Sequence, residues 1–397
     1  MKEKKYTIFD LFAGCGGLSQ GFLDIKKFKI PIANEYWKPA QLSYKSSHPE
    51  TKLFEESIID LTNSKIDNEL KNQNIKKIDV IIGGPPCQGF SMAGSRNPND
   101  PRNRLFMEFA RIVEHLEPKF FVFENVKGLL TMKDELGNSI IKQIVKKFKE
   151  IDGGYELQYK VLNSADYGVP QKRERIILIG SNMKGIEEYK FHPIPTHCPK
   201  EDLRELKKWF DRNGEYFFNL NQTQICNIKK IKTLNDLPNF SKNIISRLKN
   251  WNSIINFIGD LENKEDIEDK FNHKPMNHTK IVKKRMSLIK EGENIPNDQS
   301  SWSEELKRKK FASVYKRLDR NKPACTMVPG HSAFPIHYRL NRSLTVREAA
   351  RIQTLPDKLK FFGSKTEQCI TVGNAVPTIM AKNIAKVIEK LLSQGKK

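Results

Sequence analysis

The sequence predicts a doubly wound α/β fold with a mostly parallel sheet, joined to a second, smaller and irregular domain. Three observations carry this. Short apolar runs alternate with helix-like stretches from residue 6 to residue 180. Each of the early runs ends in glycine or an acidic residue. The alternation then stops near residue 185, and a polar, Asn-rich sequence follows until about 343. In sheets of this kind ligands gather at the carboxyl edge of the strands. A chain of 397 residues also exceeds the usual size of one domain.

The elements follow in order. Tyr6–Leu11 is a short apolar strand that runs into Phe12-Ala13-Gly14-Cys15-Gly16-Gly17, with a helix from Leu18. Lys29–Ala33 reads as a second strand, ending at Asn34-Glu35-Tyr36. Ile78–Ile82 is a third and breaks at Gly83-Gly84-Pro85-Pro86. Arg104–Leu116 has helical periodicity, and Phe120–Phe123 is a strand ending at Glu124-Asn125. Arg175–Gly180 closes the series. Within the irregular stretch, Arg204–Trp209 and Ile281–Ile289 are short helices. Pro377–Leu392 is an amphipathic helix that starts at proline and places Ile379, Ile384, Val387, Ile388 and Leu391 on one side. The division is therefore 1–185, 186–343 and 344–397.

Composition narrows the class. Hydrophobic residues make up 38%, and 23 Phe, 10 Tyr and 4 Trp supply a core, which excludes wholesale disorder. No apolar run reaches the length of a membrane span, and Asp10 interrupts the first one too early for a signal peptide. The six cysteines form no Cys-x-x-Cys pair, and His192, His197 and Cys198 have no second ligand pair at finger spacing, so no metal is expected. Reduced thiols and a cytoplasmic setting are expected. The net charge of +22 suits a polyanion such as nucleic acid, but a Lys-rich, Asn-rich proteome gives the same composition. Within 186–343 the run His273–Lys290 carries six Lys and Arg and no acid. Its Lys280, Lys283, Lys284 and Arg285 are read as phosphate contacts, against the alternative of a solvated helix face.

Four motifs carry chemistry. The loop at 10–17 lets backbone approach a nucleotide closely, and Glu35 ends the next strand where it can accept from ribose hydroxyls. A dinucleotide fingerprint needs glycine where Ser19 stands, so the loop suits an adenosine cofactor without pyrophosphate, or a purely structural turn. Cys87 follows a rigid Pro85-Pro86 turn at the end of a strand, the setting of a positioned nucleophile. Glu124-Asn125-Val126 ends another strand on the same edge, and Gln171-Lys172-Arg173-Glu174-Arg175 precedes the last. A thiol, a carboxyl and two guanidinium groups at one cleft form a nucleophile, an acid and an orienting pair.

Taken in order, these motifs resemble those of the DNA (cytosine-5)-methyltransferases, with Arg347-Glu348-Ala349-Ala350-Arg351 and Gly373-Asn374-Ala375-Val376-Pro377 matching the two late ones. The resemblance covers nearly the whole chain. It implies a Rossmann-like methyltransferase sheet and S-adenosylmethionine as cofactor, held by Phe12, Gly14, Glu35, Tyr36, Asp60, Pro85, Leu105 and Asn374. It implies a final helix that returns beside the first strand, and a target-recognition domain at 186–343. Cys87 is then the nucleophile on carbon 6 of cytosine, Glu124 the acid at ring nitrogen 3, and Arg173 and Arg175 hold the flipped base and its phosphate. Ser91, Arg96 and Arg102 lie in the loop Ser91–Asn103, which closes over the base. The implied partner is duplex DNA with a short target sequence. A separately acting restriction endonuclease completes a restriction–modification pair, and the enzyme is a monomer without membrane attachment.

Three alternatives stand beside this reading. A tRNA cytosine methyltransferase shares the motifs but has little recognition domain, so the long insert at 186–343 favours DNA. A catalytically silent DNA-binding protein conflicts with the intact Cys87, Glu124 and Arg175, and a nicotinamide oxidoreductase conflicts with Ser19.

Overall fold

The computed structural model describes residues 5–86, 105–134, 136–151, 153–186, 189–201, 248–264, 269–308, 315–328 and 334–394. Its centre is a seven-stranded sheet built from β1 (Tyr6–Leu11), β2 (Phe28–Asn34), β3 (Lys52–Phe54), β4 (Val80–Gly83), β5 (Phe120–Val126), β6 (Glu156–Asn163) and β7 (Glu174–Ser181), in the order β3-β2-β1-β4-β5-β7-β6. The strands from β3 to β5 pair in parallel, whereas β7 runs antiparallel to both β5 and β6. The sheet is therefore mostly parallel, as expected. The reversal of β7 and the strands β3 and β6 were not anticipated. A small two-stranded sheet joins β8 (His197–Cys198) to β9 (Lys249–Asn250).

Period-2 alternation sends side chains to two separate cores. On one face Phe9, Leu11, Phe121 and Phe123 pack with the helices Asn63–Asn72, Leu105–Leu116 and Ile140–Lys149 through Ile66, Phe109, Ile112, Ile144 and Phe148. On the other face Ile8, Ile30, Val80 and Val122 meet Leu18 and Phe22 of α1 (Gly17–Leu23). There they also meet Met380, Ile384, Ile388 and Leu391 of the terminal helix, which spans Thr378–Gln394. Strands covered on both sides read as continuous apolar runs, which is why the central ones were legible. The terminal helix packs on α1 and shares a core with Tyr6 and Ile8 of β1. Gly17 and Gly21 permit it: a Cβ on Gly21 would overlap Ala381, and one on Gly17 the Val376 carbonyl.

The middle segment is not sealed off from the tail. Ile254, Ile258, Leu318, Met327 and Tyr338 share one core with Leu344, Val346, Ala349, Ile352 and Val372. The expected helix at Ile281–Ile289 forms at Lys280–Ser287, capped by the Thr279 hydroxyl. The helix expected at Arg204–Trp209 lies outside the described residues. No helix among the described residues is long and apolar enough to cross a membrane.

Candidate active site

The loop after β1 turns on left-handed backbone at Phe12 (φ 56°), Gly14 (φ 57°) and Gly16 (φ 87°). A left-handed phenylalanine is uncommon and costs strain, which loops of this kind hold at ligand sites. The Glu35 carboxylate closes the loop. One oxygen accepts from the Gly14 N–H at 2.8 Å and the other from the Trp37 N–H at 2.7 Å. Burial pushes the pKa of Glu35 up, and the backbone donors at Trp37, Gly14 and Tyr36 oppose that rise. Open space lies beside Gly14, with nothing within 4 Å of where a Cβ would stand. Tyr36, which follows Glu35 in the chain, is 71% exposed. Asp60 and Asn374 are exposed, Pro85 is buried, and Leu105 packs against the core.

At the carboxyl edge Glu124 meets Arg175, Oε1 to Nε at 3.0 Å, with both side chains largely buried. The register explains the meeting. Glu124 faces Ile177 and Val126 faces Arg175 across the antiparallel ladder, so Glu124 and Arg175 are diagonal neighbours on one face. Burial draws the pKa of Arg175 down while Glu124 opposes that shift. A Cβ at 84 would stand 2.8 Å from Glu124 Oε2, so a side chain there would press on the carboxylate. Asn125 fixes the turn before Cys87: its Nδ2 donates to the Pro85 carbonyl at 3.1 Å, and its Oδ1 accepts from the Val126 N–H. Cys87, Ser91, Arg96 and Arg102 lie outside the described residues.

Two expectations are corrected by where the side chains stand. Arg173 does not face the cleft with Arg175. It is 1% exposed and donates to the carbonyls of Gly373 (3.0 Å), Met327 (3.4 Å) and Asn374 (3.5 Å). Arg285 is likewise no phosphate contact. Its guanidinium is buried and donates to the carbonyls of Leu306 and Glu305 and to the Tyr315 hydroxyl. Lys280, Lys283 and Lys284 on the same helix are exposed.

One buried group went unnoticed in the sequence. Asp10 is 1% exposed at the end of β1 and accepts from the Ser19 hydroxyl at 2.5 Å, which in turn meets the Tyr44 hydroxyl at 2.9 Å. Its other oxygen has no partner among the described residues, and burial pushes its pKa up to about 8. The clue was Ser19 in the place of a glycine. Among the described residues no group of three or more His, Cys, Asp or Glu side chains stands where it could hold a metal ion.

Comparison with known proteins agrees with this geometry. The chain is 35% identical over 391 residues to the Type II methyltransferase M1.HphI of Haemophilus parahaemolyticus, covering 97% of this chain and 87% of that protein. It is 30% identical to the Type II methyltransferase M.DdeI of Desulfomicrobium norvegicum, covering 96% and 88%. A crystal structure described as a DNA modification methyltransferase encoded within an E. coli prophage superposes with a TM-score of 0.63 at 26% identity, covering 98% of this chain and all of that one. The model of the C-5 cytosine-specific DNA methylases matches residues 6–390. With a match of that extent, the chain belongs to the C-5 cytosine-specific DNA methylase family.

Proposed function

We propose that this methyltransferase acts on a cytosine flipped out of duplex DNA, through a covalent bond between the Cys87 sulfur and carbon 6 of the base. The observation that supports this reading most is the Glu124–Arg175 pair. It stands at the carboxyl edge of β5, beside the Gly84–Pro85 turn that leads into Cys87.

The glycine loop fits S-adenosylmethionine. Gly14 leaves open space, Glu35 keeps lone pairs free on both oxygens, and the exposed Tyr36 ring offers an apolar platform. Phe12, Gly14, Glu35, Tyr36 and Asn374 would hold it, with Asp60, Pro85 and Leu105 completing the pocket. When bound it supplies an electrophilic methyl group on a sulfonium. The protein's task is to make carbon 5 nucleophilic. Addition of the Cys87 thiolate to carbon 6 converts the ring to an enamine, and a proton shared from Glu124 to ring nitrogen 3 draws the charge onto the base. Arg175 keeps Glu124 in place and offers its remaining N–H groups to the base. Once carbon 5 has taken the methyl group, loss of its proton to a base expels the Cys87 thiolate, the proton on ring nitrogen 3 returns to Glu124, and the aromatic ring is restored. A stacked cytosine cannot be reached from both sides, so flipping precedes chemistry at a cost of a few kcal/mol.

Relatives named as Type II methyltransferases support a place as the modification half of a restriction–modification pair, with recognition assigned to 186–343. The test is covalent trapping. Duplex DNA carrying 5-fluorocytosine at the target should form an adduct with the protein, because fluorine cannot leave as a proton does. Cys87→Ser should form none, and an adduct that survives this substitution would refute the mechanism.

A further inference from the structure

The segment before β7 is zipped to the middle of the chain. The Ala324 N–H donates to the Pro170 carbonyl at 2.9 Å, the Lys172 N–H to the Ala324 carbonyl at 2.8 Å, and the Thr326 hydroxyl to the Lys172 carbonyl at 2.8 Å. Gln171 and Ala324 form a parallel bridge. Arg173 extends this ladder by one residue with its side chain. The same Nη1 that reaches Met327 also reaches Gly373, and Nη2 reaches Asn374. Two residues further on, Arg175 holds Glu124. Three residues beyond Gly373, the Val376 carbonyl lies against Gly17, which starts the helix behind the glycine loop.

Three segments that are far apart in sequence therefore meet at one guanidinium. They are the lead into β7 with its catalytic arginine, the stretch leaving the middle segment, and the Gly373–Asn374 end of the helix Lys365–Asn374. A buried arginine beside another arginine is costly, and both its burial and Arg175 pull its pKa well down. Surface packing alone does not account for a charge kept there. Its fork of donors does: each carbonyl it meets belongs to a backbone that a neutral side chain would leave unpaired.

On the reading that Asn374 borders the methyl-donor pocket, we propose that Arg173 is a positioning residue that locks the donor pocket, the recognition segment and the Glu124–Arg175 pair into one arrangement. It touches neither base nor phosphate. Donor binding and base activation are thus assembled together, and a shift of Ala324–Met327 on engaging DNA is passed to Asn374 through a single side chain.

The test compares Arg173→Lys, Arg173→Met and Thr326→Val in the full chain. Three readouts are taken: S-adenosylhomocysteine affinity by calorimetry without DNA, the salt dependence of duplex binding, and kcat for methylation. Arg173→Met should weaken S-adenosylhomocysteine about tenfold and lower kcat further. Arg173→Lys, which keeps one or two of the carbonyl bonds, should restore part of both. The slope of log DNA affinity against log salt should stay the same. A slope lowered by ~0.9 with unchanged S-adenosylhomocysteine affinity would mean a phosphate contact and overturn the proposal. A lower melting temperature with unchanged affinity and kcat would overturn it too, since the role would then be structural only. If the Arg173 variants fail to fold, Thr326→Val carries the test. It removes one exposed ladder bond and should shift donor affinity and kcat in the same direction by a smaller factor; no shift would defeat the proposal. Wild-type protein that neither binds S-adenosylhomocysteine nor methylates DNA would instead indict the functional reading.

Discussion

Glu124 and Arg175 meet at 3.0 Å because the strand that carries the arginine runs against its neighbours. Glu124 lies two residues before the end of β5, and Arg175 is the second residue of β7. In a wholly parallel sheet those two positions would lie at opposite edges. The antiparallel β7 brings the start of one strand to the end of the other, and this joins a carboxylate and a guanidinium from two separate motifs.

Glu124→Gln keeps the shape and a hydrogen-bond acceptor for Arg175 but removes the transferable proton. General acid catalysis of this kind contributes about 10²- to 10⁴-fold, so kcat should fall by that order while duplex affinity changes little. Single-turnover methylation beside a binding titration checks this. A loss confined to binding would show that Glu124 only shapes the pocket.

The basic helix Lys280–Ser287 separates two roles by burial. Lys283 and Lys284 are exposed, so their joint replacement by alanine should weaken target and non-target duplexes alike and lower the log–log salt slope by roughly 0.9 for each phosphate left without its lysine. Melting temperature should hold. Arg285→Ala should do the opposite. It strips donors from the Leu306 and Glu305 carbonyls and costs about 1–3 kcal/mol for each buried group left unpaired, with the salt slope unmoved. An intact slope in the double lysine variant would reduce the helix to a solvated face.

Two glycines of the first loop and helix should respond differently to alanine. Gly21 packs against the terminal helix, and a methyl there would overlap Ala381. Overpacking of this kind costs about 1–3 kcal/mol, which calorimetry would read as a melting temperature several degrees lower. Gly14 has open space around it but a left-handed φ of 57°. Alanine there should cost only ~1 kcal/mol of strain, yet weaken S-adenosylhomocysteine because the methyl enters the space the donor needs. Equal loss of donor affinity in both variants would mean that Gly14 acts through the fold alone.

Much of this architecture is legible in the sequence. Strands β1, β2, β4, β5 and β7 are apolar because helices cover both faces, and their ends coincide with the glycine and acidic punctuation. The edge strand β6 was missed because its residues are mostly half-exposed and carry no apolar run, and β3 because it is three residues long. The direction of β7 leaves no trace in hydrophobic pattern. Charge misled most at the arginines. Arg173, Arg285, Arg317 and Arg347 are all buried and donate to backbone carbonyls, Arg347 with its guanidinium over Phe271. The net charge of +22 counts them as if they faced a polyanion. Sequence reports that an arginine is present, whereas packing decides whether it meets solvent or a carbonyl.

Asp10 should make the stability of the fold depend on pH. Its carboxyl lies inside the protein near the end of β1, with Ser19 on one oxygen and, among the described residues, nothing on the other. Burial dominates its pKa, raising it to about 8, and the nearby Glu35 adds to the rise while Ser19 opposes it. A carboxyl in the unfolded chain ionises near pH 4. Below that pH both states are protonated, and the folded state carries no penalty. As pH rises the unfolded state releases its proton first, so the folded state is the one that holds more protons. Stability from this group must therefore decline progressively between about pH 4 and pH 8 and change no further above that. Asp10→Asn keeps the size of the side chain and an oxygen to accept from Ser19, but it cannot ionise. Relative to wild type, its melting temperature should gain steadily from pH 5 to pH 8, by several degrees at the upper end. Thermal unfolding across that range checks the sign. Parallel curves for the two proteins would show that Asp10 is ionised in the fold and that its unpaired oxygen is satisfied by solvent.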